Sequence, residues 1–91
     1  VKELYFFMGQ AALRTGDAAK AKESLKNALR PLQQANDVNK LIGALDMLAG
    51  IEAANGNTDV AKKLLDDAIG FAKKAGLKEQ KKQLKKKLDS L

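Results

Sequence analysis

The chain has 91 residues, a formal charge of +6, one Pro, and no Cys, His or Trp. Without Cys and His there are no disulfides, no thiolate chemistry and none of the usual zinc or copper sites, and the commonest general base near neutral pH is missing. No apolar run approaches the ~20 residues of a membrane-spanning helix, no secretory signal pattern opens the chain, and nothing in the composition assigns a compartment.

Ala, Leu and Lys dominate, and apolar residues recur three and four apart, so the expected class is all-α. The first helix is expected at about residues 2–15 and carries the run Leu4-Tyr5-Phe6-Phe7-Met8, which holds three of the four aromatic residues. Five consecutive apolar residues wrap right round a helix. Leu4, Tyr5 and Met8 are expected to face inward, leaving Phe6 and Phe7 to look elsewhere. Three occupants are open for that end: an upstream repeat, a second copy of the chain, or a bound ligand. A break at Thr15-Gly16-Asp17 leads to a second helix at 17–34, where Pro31 is expected to kink a helix that continues past it. A break at Ala35-Asn36-Asp37 leads to a third helix at 37–55. Asn55-Gly56-Asn57-Thr58 leads to a fourth at 58–75, and Gly76 to a fifth at 77–90. At each break a residue suited to left-handed backbone ends one helix, and in the first three a polar side chain is available to cap the next.

The charge is uneven. Through Gly70 nine basic residues balance nine acidic ones; from Phe71 onward eight lysines stand against Glu79 and Asp89. The whole net charge lies in the last segment.

Sliding the chain by 40 residues superposes Gly16 on Gly56, Asp17 on Asn57, Ala21 on Ala61, Leu25 on Leu65 and Ala28 on Ala68. A second slide aligns Leu4, Ala44 and Leu84, then Met8, Leu48 and Leu88, then Ala11, Ile51 and Leu91. The basic segment is a third copy of the first helix of the unit. Each unit pairs two helices through a tight turn, and stacked copies bury what neither helix can bury alone.

The first unit places a bulky residue, a small residue, a turn and then a small–large–small series at Tyr5, Met8-Gly9, Gly16-Asp17, Ala21, Leu25 and Ala28. The second has Leu45, Leu48-Ala49, Gly56-Asn57, Ala61, Leu65 and Ala68. On these residues the chain resembles the tetratricopeptide repeat family. It departs from the family's 34-residue unit by using 40, and the terminating Pro after the second helix is missing or displaced to Pro31. The resemblance implies a right-handed α-solenoid of two helix-turn-helix repeats, 1–36 and 37–76, with a C-terminal capping helix at 77–91.

The resemblance also implies a concave groove lined by the first helices of successive units. By motif position its candidates are Glu3, Phe6, Gln10, Gly43, Asp46, Gly50 and Lys86. Gly43 and Gly50, seven apart, share a face, and each weakens the helix by about 1 kcal/mol relative to Ala. Two reasons for keeping them stay open: tight packing within the molecule, or close approach of a ligand. Some of the family grips a terminal carboxylate with Lys and Asn; the matching positions here are Phe6, Gln10, Asp46 and Gly50, so that clamp is absent. A groove ligand is then expected to rely on shape and apolar contact, with Phe6 as anchor.

The last helix keeps its leucines in a narrow stripe and its lysines elsewhere, as a solvating cap does. The competing reading is an electrostatic binder of acidic protein, nucleic acid or anionic lipid through Lys78, Lys82, Lys85 and Lys86. With no Arg and no interleaved aromatic in this segment, specific nucleic-acid recognition is not expected. No metal or cofactor is expected. Hydroxyls at Tyr5, Thr15, Ser24, Thr58 and Ser90 have no His beside them, and adjacent Asp66 and Asp67 point some 100° apart on a helix, so no enzyme chemistry is expected. The expected function is protein–protein interaction, through the groove with a peptide or helix, or through self-assembly at Phe6 and Phe7.

Overall fold

A computed structural model describes residues 3–91. Five helices follow in order: α1 Leu4–Arg14, α2 Ala18–Gln34, α3 Val38–Ala54, α4 Thr58–Lys74 and α5 Lys78–Asp89. All five lie within a residue or two of their expected bounds. The expected start of the first helix at residue 2 lies outside the described residues. α2 runs through Pro31 without interruption and ends three residues later. The amide that Pro lacks there would have served only the last turn.

The three interior helices, α2, α3 and α4, have 17 residues each, and all four connections are three-residue turns of one design. Gly16, Asn36, Gly56 and Gly76 take positive φ, at 83°, 57°, 83° and 72°. At each turn the amide three residues past the last helical residue donates five residues back: Asp17 to Ala12, Asp37 to Leu32, Asn57 to Glu52 and Leu77 to Ala72. The positive-φ amide donates one turn back in the same way, as in Gly16 to Leu13 and Gly56 to Ala53. This is the Schellman arrangement, which satisfies the carbonyls a helix end leaves free. Its spacing shows that the structural beat is 20 residues, half the period seen in the sequence. The residue that closes each turn also begins the next helix. Asp17 and Asp37 accept from the amides of Lys20 and Lys40, at 3.1 and 3.4 Å. Asn57 and Leu77 make no such bond.

Each helix packs chiefly on its neighbours in the chain. The odd-numbered helices also touch one another: the Phe6 ring of α1 lies against α3 at Gly43, and α5 reaches α3 through Lys87 and Gln80. α2 and α4 border a common cleft floored by Leu41 and Leu45 of α3. The smallest principal extent of the molecule is 18 Å, close to two layers of helix at about 10 Å each.

Ala21, Leu25, Ala28 and Leu32 of α2 and Ala61, Leu65, Ala68 and Ala72 of α4 are fully or almost fully buried. Those of α2 alternate small and large, those of α4 set one leucine among alanines, and the small ones let helices approach. The closest approach is at Gly9, where an added Cβ would sit 2.6 Å from Leu25 Cγ and 2.7 Å from Cδ2. Leu25 is itself fully buried, so it has no free space into which to retreat.

Candidate functional site

An apolar groove runs over α3. Its larger part, about 470 Å³, is lined by Met47, Gly50 and Ala53 of α3, Leu65 of α4, and Ser90 and Leu91 at the end of α5. A second part of about 350 Å³ continues across Met47 and Gly50 to Leu13 and Ala18, where α1 passes into α2. The two share Met47 and Gly50 in their lining, so Gly50 stands where the two parts adjoin. Volumes of this order suit a few side chains of a partner. Gly50 is exposed, and an added Cβ there would meet nothing within 4 Å. No neighbouring helix uses the space its missing side chain leaves.

Gly43 has the opposite environment. The edge of the Phe6 ring lies 3.5 to 3.6 Å from where its Cβ would be. An added Cβ at Gly43 would touch that ring at an ordinary contact distance, so Gly43 faces the interior of the molecule, while Gly50 leaves open backbone in the groove. Phe6 was expected to look outward as an anchor; instead it is 7% exposed and belongs to the core. Its ring turns inward and lies on α3 at Gly43. Phe7, packed edge-to-face on Phe6 with centroids 5.6 Å apart, remains 49% exposed. Leu4 and Tyr5, expected inside, are 53% and 41% exposed, and Met8 is half-buried. The positions equivalent to Leu4, namely Ala44 and Leu84, are buried, each with a helix preceding it in the chain.

Of the other groove candidates, Asp46 borders the channel and is paired: its carboxylate accepts from Lys87 Nζ at 2.6 Å. The partner is Lys87 and not Lys86, which stands free in solvent. Side chains of α5 meet α3 with an offset of 41 residues, as Gln80 and Asn39 also do at 3.2 Å. The contacts between the two helices thus run one residue off the 40-residue spacing of equivalent positions. Glu3 and Gln10 are half-buried on α1 and border neither part of the channel. Beside Asp46 a smaller hollow of about 190 Å³ holds Asn39, Gly43, Gln80 and Gln83. Gln80 Oε1 is buried there without a hydrogen-bond partner, the kind of acceptor an ordered water or a ligand donor satisfies.

One charged pair escaped the sequence reading. Glu52, 6% exposed, sits near the end of α3 with Lys22 Nζ of α2 at 2.9 Å from its Oε1, off the best hydrogen-bonding direction. Contact with Lys22 holds the Glu52 carboxyl below the usual carboxylate range; the side chain of Asn57 and the charge of Lys26 act the same way, and burial opposes them. Glu52 stands at the position that Ala12, Leu32 and Ala72 hold in the other turns. A charge among three apolar equivalents was the available signal, readable only at the 20-residue period.

Lys78, Lys82, Lys85 and Lys86 are all exposed on α5. Lys87 is the one lysine of α5 with a carboxylate within 4 Å among the described residues. A further hollow is the cleft between α2 and α4, about 450 Å³, lined by Leu29 and Phe71 together with Asp66, Asp67 and Lys74. No group of three or more metal-ligating side chains occurs among the described residues, and no helix there is long and apolar enough to cross a membrane. No family model, curated protein or solved structure matches the chain.

Proposed function

We propose that the protein is an interaction module of the tetratricopeptide kind, a right-handed solenoid of two helical hairpins ending in the α5 cap, and that it grips an apolar peptide or helix over α3. The observation that carries this reading is Gly50, a glycine inside a 17-residue helix, one turn from its end, whose missing side chain no part of the molecule fills. Such a residue lowers helix stability by about 1 kcal/mol relative to Ala, and close backbone approach by a partner gives a reason to keep it. The lining of Met47, Ala53, Leu13 and Leu91 supplies apolar contact and no charge beyond the paired Asp46 and Lys87. Binding by shape and apolar burial, not chemistry on a substrate, is what this surface is suited to.

Selection from a displayed library of random peptides tests it, run against the native chain and against Gly50→Phe. The added ring enters open space, so the fold tolerates it while the channel is blocked. Peptides with apolar residues at helical spacing should be enriched on the native chain and lose binding to the variant. Enrichment of peptides that bind both equally well, or no enrichment, contradicts the reading.

Self-assembly at the first helix is the weaker alternative. Leu4, Tyr5 and Phe7 are each about half exposed, and half of three such side chains is roughly 300 Å² per protomer at most. Stable dimers bury more than about 1,000 Å² in total.

A further inference from the structure

We propose that the outer face of α5 docks an acidic amphipathic helix of another protein. This face lies apart from the channel over α3 and is defined by the repeat. In α3 the face that lies beneath α2 and α4 is built on Leu41 and Leu45, each 4% exposed. Forty residues on, the same positions of α5 are Lys81 and Lys85. Leu48 of that face is 1% exposed, whereas its counterpart Leu88 is only half-buried. The place that holds a packed helix in the middle of the molecule is thus present on α5, with two ammonium groups at one end and a half-covered leucine at the other.

What fits there is fixed by charge and spacing. Lys81 and Lys85 are four residues apart, about 5–6 Å along one helix face, and carboxylates at i and i+4 of an antiparallel helix match them. An apolar side chain one turn further covers Leu88. Neither lysine has a carboxylate within 4 Å among the described residues, so the charges are unneutralised by the molecule itself. Lys78 and Lys82 flank the row and raise the local positive potential, which steers an acidic partner toward the face. A nucleic-acid strand is disfavoured because this segment offers no Arg to read a base and no aromatic ring to stack on one. A lipid surface is disfavoured because Leu77 and Leu84 are engaged with the core, and the uncovered half of Leu88 alone gives α5 no apolar face to insert.

The test is fluorescence anisotropy with four probes at low salt. These are an acetylated, amidated peptide helix bearing a leucine stripe beside glutamates at i and i+4, the same helix with lysine for glutamate, the acidic peptide interrupted by proline, and an oligothymidine strand. Phosphatidylcholine–phosphatidylserine vesicles, read by co-sedimentation, are the fifth. The acidic helix should bind, the lysine version should not, and the proline version should bind on the order of tenfold more weakly because the helix must be rebuilt. Lys81→Glu with Lys85→Glu should weaken the acidic helix by at least about tenfold, while Lys73→Glu with Lys74→Glu should leave it within about twofold. Circular dichroism checks that both variants remain helical; if the first does not, Lys85→Gln and the comparison of probes on the native chain decide. The proposal is overturned by no binding of the acidic helix at low salt or by equal binding of the proline version. It is equally overturned by oligothymidine or vesicles binding as tightly, or by equal losses in the two variants.

Discussion

Gly9 and Gly50 make opposite predictions for one substitution. Each lies inside a helix, so Ala in place of either recovers about 1 kcal/mol of helix propensity. At Gly50 the new methyl group meets nothing within 4 Å, and the gain should appear in full. At Gly9 the methyl would stand 2.6 and 2.7 Å from Cγ and Cδ2 of Leu25, against about 3.5–4.0 Å for a relaxed carbon contact. Leu25 is fully buried between the helices of the first hairpin, so relief requires the helices to separate. Overpacking of this sort costs about 1–3 kcal/mol. The helix term is common to both variants and cancels in the comparison, leaving Gly9→Ala less stable than Gly50→Ala by that same 1–3 kcal/mol or so. For a domain of this size each kcal/mol moves Tm by about 4–8 °C, so thermal melts followed by circular dichroism should separate the variants by at least about 4 °C. Urea titrations should give the same order with unchanged slopes. Equal stabilities, or a more stable Gly9→Ala, would refute the packing account of the first hairpin.

Three further predictions follow from single observations. Glu52 has its folded-state pKa below its ordinary value of 4.5, so its contribution to stability is present above about pH 4.5 and is lost as the pH falls through the folded value. Urea midpoints between pH 7 and pH 3 should therefore fall less steeply for Glu52→Gln than for the native chain; parallel curves would show that Lys22 does not act on this carboxylate. Leu48→Ala, which empties a 1%-exposed core position, should cost about 2–5 kcal/mol in the same titration, and a loss under 1 kcal/mol would mean the core is not packed as described. Asp17→Ala removes the acceptor for the Lys20 amide and should cost about 0.5–2 kcal/mol, whereas an unchanged midpoint would show the cap is idle in solution.

The helices and turns were legible because their causes are local. A residue that accepts positive φ, followed by a capping side chain, marks a helix end wherever it falls, and Gly16, Asn36 and Gly56 are each read that way. Leucines and alanines three and four apart gave the buried faces of α2 and α4 for the same reason. The site was legible only in part, because its details depend on where one helix sits across another. Phe6 was expected outside because its own helix gives no reason for it to turn in; what it packs against is α3 at Gly43, 37 positions away. Gly43 and Gly50 look alike in sequence, and only the ring lying on one of them separates packing from an open channel. Lys87 rather than Lys86 meets Asp46 because the helices pack with an offset of 41, which the alignment of like residues at 40 does not contain. The Lys22 pair with Glu52 joins the start of α2 to the end of α3, and no spacing within either helix announces it.

The central claim is that the channel over α3 is the binding surface. Amide chemical-shift mapping on isotopically labelled protein, titrated with a library-selected peptide, tests it most directly. The account predicts shifts concentrated at Met47, Gly50 and Ala53 and at Leu13 and Leu91, with α2 and α4 silent on their outer sides. Shifts centred instead on Leu29, Gly70 and Phe71 in the cleft between α2 and α4 would contradict it.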